Sequence, residues 1–314
     1  MTTFAIIGFG EVGGIFARDL HARGASGIAV YDVDRDARAR AGMCGYVQVH
    51  NTASAAARSA DVVFVAVTAG SALAAAESLA GGLRRSPLVV DVNSVSPATK
   101  QEAARAVAAA GGRFVEAAVM TSVPPHGLLS PMMLGGPHAE AFAALGRPLG
   151  MQVTVFAARI GEASSVKMCR SIMIKGLEAL TTECMLAARH YGVEQEVLRT
   201  LGDTLPHEDW AGLARYVISR ALLHGKRRAE EMREVARTVS EAGVEPLLSR
   251  AIAERQDWAW ERGHAMGREP LASPSLDNLL DALTAVMHAR QPAATRLSEE
   301  ARRTSEQAPP QSPS

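Results

Sequence analysis

Two lysines, Lys167 and Lys175, stand on one side of a run that reads as a single long helix, GEASSVKMCRSIMIKGLEALTTECMLAARH from Gly161 to His190. At about 1.5 Å per residue such a helix spans roughly 40 Å, the width of a small domain. With Lys167 as origin and 100° per residue, Ser164, Ser171, Lys175, Glu178 and Thr182 fall within a sector about 80° wide. The other sides carry Met168, Cys169, Ile172, Met173, Leu177, Ala179, Leu180 and Cys184, which predicts a mostly buried helix. A buried ammonium costs several kcal/mol unless it is paired or faces a wet cleft, so the stripe calls for such a cleft. The chemistry open to it is proton transfer. Lysine titrates near 10.4, and a base useful at neutral pH needs ~7–8, a reduction of about three units or ~4 kcal/mol. Desolvation beside a second ammonium lowers a lysine in this way; Lys175, two turns along, would supply that field or hold an anion.

A second constellation lies at the start of the chain. The apolar run Phe4 to Ile7 is followed by Gly8-Phe9-Gly10-Glu11-Val12-Gly13 and then by the helical pattern IFARDLHARG. In a strand, glycine turn and helix of this kind the first glycine permits the tight turn. The second lets a pyrophosphate approach the backbone, and the third allows close packing of helix on strand. The unpaired amides at the helix start favour an anion. The next strand, GIAVYD, ends in Asp32, nineteen residues after Gly13. An acid there accepts from a ribose 2′-hydroxyl and repels a 2′-phosphate. NAD is therefore the expected dinucleotide, with Arg35 keeping NADP possible.

Further strands follow at 61–67, 87–92 and 113–119, apolar on both faces and separated by helical patterns, with an uncertain segment at 45–50 and a last βα-like stretch at 140–160. This alternation predicts an α/β fold, a doubly wound parallel sheet of Rossmann type. Ligands in such sheets lie beyond the carboxyl ends of the strands. Those ends bring forward Thr68, Asn93, Ser94, Thr121 and Ser122. Asn93 can both donate and accept, either as a turn residue or as a ligand contact. Ser96 reads as the cap of a helix starting at Pro97. Thr121 and Ser122 offer hydroxyls and amides to a carboxylate, or serve the turn that follows them.

From 161 to 290 the periodicities are helical only: 161–190, 193–202, 208–223, a charged helix at 225–242, then 245–262 and 275–289. We therefore expect a dinucleotide-binding domain over 1–160, an all-α domain for substrate and dimerisation over 161–290, and a disordered Pro- and Ser-rich tail over 291–314. In KRRAEEMREVAR, Lys226 stands against Glu230 and Arg227 against Glu231 at i, i+4, the pattern of a solvated face laced with weak ion pairs. Trp210, Trp258 and Trp260 read as core or subunit-interface residues.

The bulk numbers narrow the class. A 314-residue chain exceeds the usual size of one hydrophobic core, and 47% hydrophobic with 21% charged residues is ordinary for a soluble protein. Thirty-three basic and thirty-three acidic side chains cancel, so no bias toward nucleic acid or a membrane surface follows. No apolar window reaches the ~20 residues of a membrane span, and MTTFAIIGFGE lacks a basic leader. The expectation is a cytoplasmic protein. Cys44, Cys169 and Cys184 have no metal spacing and read as reduced thiols packed in a core.

GFGEVG at 8–13, DVNSVSP at 91–97, EAAVMTS at 116–122 and GEASSVKMCRS at 161–171 together resemble the β-hydroxyacid dehydrogenases, which include 3-hydroxyisobutyrate and 6-phosphogluconate dehydrogenases. IKGLEAL at 174–180 and the RRAEEM segment at 227–232 are similar to a phosphogluconate-dehydrogenase-like subgroup. The resemblance implies hydride transfer between NAD(P) and a small anionic hydroxyacid. It implies Lys167 as general acid/base, and Asn93, Ser94, Thr121, Ser122, Ser171 and Lys175 around substrate and nicotinamide. A homodimer through the helical domain is also implied, with Arg227 and Arg228 reaching a partner's anion site. Two departures stand out: a Ser-Gly-Gly cradle is here Met120-Thr121-Ser122, and the asparagine expected four residues after the lysine is Ser171. An imine or amino-acid-type reductase on the same fold, and a dinucleotide-binding protein without turnover, are the alternatives.

Overall fold

The computed structural model describes residues 2–289; the expected tail, 291–314, lies outside them. An eight-stranded sheet has the order β3-β2-β1-β4-β5-β6-β7-β8. Its strands are β1 (Phe4–Ile7), β2 (Ile28–Tyr31), β3 (Val47–Val49), β4 (Val62–Val65), β5 (Leu88–Asp91), β6 (Arg113–Val119), β7 (Met132–Gly135) and β8 (Val153–Ala157). All neighbours are parallel except β6 and β7, which run antiparallel. β1, β4 and β5 are buried along their whole length. Alternate residues feed two separate cores: Phe4, Ile6, Val62, Phe64 and Val90 in one, Ala5, Ile7, Val63, Val65 and Val89 in the other. Both faces of the sheet are thus covered, as an apolar parallel strand requires.

Two strands were not separated by sequence. Val47–Val49, inside the uncertain 45–50 segment, is an edge strand three residues long. Met132–Gly135 lay within a stretch read as turn. Pro131 and Gly136 frame its four residues as a turn, and its antiparallel pairing with β6 depends on tertiary context.

The chain forms two compact units, and neither follows a cut at residue 160. The first holds Met1–Gly176 and Arg227–Glu254; the second holds Leu177–Lys226 and the described part of Arg255–Ser314. Helix Glu162–Tyr191 supplies residues to both, as does helix Trp210–Glu241. The latter corrects the expectation of two helices broken near 224. Gly225 does not end it, because a Cβ there would collide with the Gln256 carbonyl oxygen. It is a place of close approach to helix Leu247–Met266. In the second unit Met185, Leu198, Ile218, Leu222, Leu280 and Leu283 form the core, with Trp210 and Trp258 packed on it. Arg189 binds Glu194, Asp277 and Asp281 there.

The long helix is turned opposite to its apolar expectation. Ser164, Ser171, Lys175, Glu178 and Thr182 are buried together with Met168, Ala179 and Met185, whereas Met173 is 66% and Leu180 69% exposed, with Ile174 and Leu177 also exposed. Cys169 and Cys184 lie on this outward side as free, exposed thiols, which overturns their reading as core residues. The buried stripe is tolerated because it is paired. Glu178 accepts from Gln256 Nε2 at 2.9 Å, and Thr182 Oγ1 donates to the Glu178 carbonyl at 2.6 Å. Among the described residues no helix is long and apolar enough to cross a membrane.

Gly225→Ala tests the close approach by its sign. At an open helix position alanine stabilises by about 1 kcal/mol; here the collision predicts a net loss of about 1–3 kcal/mol, measured by urea unfolding.

Candidate active site and dinucleotide cradle

The glycine turn between β1 and helix Glu11–Ala22 is built for two different reasons. Gly8 has φ +96°, and a Cβ on it would strike the Ala66 carbonyl; a Cβ on Gly13 would strike the Gly8 carbonyl. A Cβ on Gly10, by contrast, would meet nothing within 4 Å, so open space lies where a phosphate must approach. No side chain caps the helix at Gly10, and its first amides face that space with the positive end of the helix dipole. Glu11 is exposed and Val12 half-buried beside it.

Asp32 stands at the end of β2 and is fixed by backbone donors. Phe9 N donates to Oδ2 at 2.6 Å and Asp34 N to Oδ1 at 2.8 Å. Each oxygen keeps a second lone pair for a hydroxyl. Arg38 donates to the Asp32 carbonyl at 2.6 Å and lies 6.0 Å from the Tyr31 ring centroid. Thr68 is exposed after β4, with its hydroxyl 3.1 Å from that of Ser71. The open glycine turn and the oriented carboxylate fit a dinucleotide.

The tip of β5 is organised by a fully buried ion pair. Lys100 Nζ lies 3.2 Å from Asp91 Oδ1 and donates to the Asp91 carbonyl at 2.9 Å. Asn93 N donates to Asp91 Oδ1 at 2.9 Å, and Val67 N donates to Asn93 Oδ1 at 2.8 Å. Asn93 is therefore both turn residue and tie to the end of β4. Its buried Nδ2 has no partner among the described residues, leaving the donor side of the amide unspent there. Ser94 is half-buried next to it. Ser96 caps helix Pro97–Ala109, accepting from Thr99 N at 3.2 Å as its sequence position predicts. Glu234 accepts from Ser96 N at 2.9 Å.

On the long helix, Lys167 is half-buried. Burial lowers its ammonium to a pKa of about 7; Glu231 pulls it upward, while Lys175, Lys100 and Arg227 push it further down. Lys175 is not a free handle for an anion. Its ammonium lies 2.8 Å from Glu231 Oε2 and donates to Ser171 Oγ at 3.1 Å. Arg227 holds the other oxygen, Glu231 Oε1, at 2.6 Å. Burial alone would raise the Glu231 carboxyl, but Lys175, Arg227 and Lys167 outweigh it and hold it at about 2. The charged helix is thus not a solvated face, since Arg228, Glu231 and Glu234 are buried. Thr121 and Ser122 are exposed at the end of β6, ahead of the short helix Val123–His126. Arg170 reaches back to the Met120 carbonyl at 3.3 Å.

The structure therefore brings Lys167, Ser171 and Lys175 together on one helix face, and holds Asn93 and the glycine turn at the strand tips. Glu116 was not singled out from sequence, and Glu231 was paired with Arg227 only as part of a solvated face; the pair is present, with its carboxylate buried. Both carried a signal: Glu116 is the charged residue within the apolar run of β6, and Glu231 sits beside Met232 and Val235 on the apolar side of its helix.

Removing one member of the Lys175–Glu231 pair leaves an uncompensated buried charge. Glu231→Gln should cost about 3–5 kcal/mol in denaturant unfolding, and the Lys175→Met/Glu231→Met double variant should recover most of that loss. Additive losses would show that the two residues are not coupled.

Residues 3–150 match the NAD binding domain of 6-phosphogluconate dehydrogenase, and residues 188–259 match a domain of unknown function, DUF1932. A conserved hypothetical protein of known structure from Sinorhizobium meliloti 1021 is 37% identical, with 91% of this chain and 97% of that one covered and a TM-score of 0.71. A second solved protein, described as of unknown function and structurally similar to 3-hydroxyacid dehydrogenases, is 32% identical over 83% of this chain and 99% of its own, with a TM-score of 0.65. Human mitochondrial 3-hydroxyisobutyrate dehydrogenase is 26% identical over 63% of this chain and 60% of its length. With the glycine turn, the strand-tip asparagine and the lysine helix in place, these similarities make the chain a member of the β-hydroxyacid dehydrogenase superfamily.

Proposed function

We propose that the protein is an NAD(P)-dependent oxidoreductase that interconverts a hydroxyacid-type alcohol, bearing a carboxylate or phosphate, and its carbonyl form. The observation that supports this most directly is the Lys167 ammonium, lowered to about 7 by burial, within the compact unit that carries the dinucleotide cradle. A bound nicotinamide dinucleotide would accept hydride from the carbinol carbon or return it to the carbonyl.

The residues of the chain do the rest. The amides of Gly10 to Gly13 would hold the pyrophosphate, and Asp32 would accept from the adenosine ribose. That carboxylate favours NAD over NADP, whose 2′-phosphate it would repel. Lys167 Nζ takes the hydroxyl proton as the C–H bond breaks, so that the oxygen lone pair completes the carbonyl; in the reverse direction it returns the proton. Asn93 offers its unspent amide donor toward the reacting centre, while Thr121, Ser122 and Ser171 offer hydroxyls to the acid group. Lys175, neutralised by Glu231, acts through its field and through Ser171. Lys175 and Arg227, both held by the one carboxylate Glu231, leave a positive excess beside Lys167 that suits an anionic substrate.

A homodimer completes the reading. Met173, Ile174, Leu177 and Leu180 form an outward apolar side on the long helix, the kind of surface a second copy covers. Arg227 and the buried Arg228 are engaged within this subunit in the present arrangement.

Alcohol oxidation requires neutral Lys167, so kcat/KM should rise as pH climbs through about 7 and then level off, and carbonyl reduction should fall over the same range. Lys167→Met should lower kcat by about 10²–10⁴-fold. Reduced-nicotinamide absorbance with a panel of hydroxyacids and imines reads both effects. Turnover of imines alone would favour the reductase alternative. NAD binding without any turnover would favour a non-catalytic role.

A further inference from the structure

Glu116 lies in the middle of β6, fully buried and flanked by apolar residues. Its two carboxylate oxygens are both used, and both by the start of the long helix: Gly161 N donates to Oε2 at 2.7 Å and Ser164 N to Oε1 at 2.6 Å. The first-turn amides of a helix have no intrahelical partner, and a carboxylate facing them gains charge-assisted hydrogen bonds and the favourable end of the dipole. Helix starts are usually capped from the adjoining sequence. Here the cap comes from a strand forty-five residues earlier than Gly161, so it fixes the helix to the sheet and not merely to its own chain.

Two glycines make room for this joint. Gly161 adopts φ +105°, which turns its amide onto the carboxylate. Gly135 stands directly opposite Glu116 in the β6–β7 register, and a Cβ there would lie 2.5 Å from Glu116 Oε2. The consequences lie at both ends of the lever. Lys167 follows Ser164 by three residues, about 4.5 Å along the helix axis. Met120, Thr121 and Ser122 follow Glu116 on the strand, and Arg170 ties the helix to the Met120 carbonyl a second time.

We propose that Glu116 is the positioning residue that sets the Lys167 amine against the Met120–Ser122 tip of β6. The inference rests on the reading of Lys167 as the proton-transfer group. Glu116 touches neither reacting atoms nor dinucleotide; it holds the first turn of the helix so that Lys167 stays desolvated among Glu231, Lys175, Lys100 and Arg227. Loss of the carboxylate frees that turn, and the lysine relaxes toward water.

The experiment measures labelling of Lys167 by acetic anhydride, which acylates neutral amines, across a pH series in the full-length protein, with the modified peptide quantified by mass spectrometry. NAD binding is followed in parallel by calorimetry. Wild-type labelling should have its midpoint near 7. In Glu116→Gln the midpoint should rise by at least about one unit, slowing labelling at pH 7 about five-fold, while the Kd for NAD stays within about two-fold. Gly135→Ala, which crowds the same carboxylate without removing it, should shift the midpoint in the same direction and decides the matter if Glu116→Gln does not fold. An unchanged midpoint in the folded variants would reduce Glu116 to a structural cap. A wild-type midpoint at the ordinary lysine value would instead overturn the proton-transfer reading, and with it the role proposed for Glu116.

Discussion

The site depends on a charge imbalance held in a place with little water. Lys167 and Lys175 project from one helix, and a single carboxylate, Glu231, answers them while also holding Arg227. A separate carboxylate for each lysine would favour the charged form of both. With none, neither could be kept in the interior. One carboxylate is shared unequally: Lys175 takes the direct contact with Glu231, while burial lowers Lys167 to about 7 and Glu231 only partly opposes it.

The fold serves that imbalance by bringing polar groups inward on elements that look conventionally amphipathic. The helix Glu162–Tyr191 buries Ser164, Ser171, Lys175, Glu178 and Thr182 and turns Met173, Leu177 and Leu180 outward. Glu234 and Glu241 of helix Trp210–Glu241 meet the backbone at Ser96 and Ala98, next to the Asp91–Lys100 pair that shapes the Asn93 turn. These contacts explain why 227–254 belongs with the sheet.

Much of this was legible in the sequence wherever the signal was local. The strands β1, β4, β5 and β6, the glycine turn, Asp32 and the Ser96 cap each follow from residues a few positions apart. Reading stopped where partners are distant. Nothing near Glu231 says that Lys175 is its counter-ion, and a run such as KRRAEEMREVAR looks solvated because its internal i, i+4 pairs already appear sufficient. The facing of the long helix failed for a related reason: periodicity divides a helix into polar and apolar sides, and hydrophobicity assigns the apolar one to the interior. That assignment reverses when the polar side is the one supplied with partners. β7, as long as β1, is set between Pro131 and Gly136 and so reads as part of a turn.

Gly10 differs from its two neighbours in the turn in a way that bears on descent. Gly8 and Gly13 are held by the protein's own backbone, so any lineage that keeps the fold must keep them. Nothing among the described residues crowds a side chain at Gly10; a ligand there would. The three glycines of one motif thus answer to different constraints, two to the fold and one to an occupant. A branch of relatives that abandoned its dinucleotide would first record the loss as drift at this single position, long before the sheet or its helices changed.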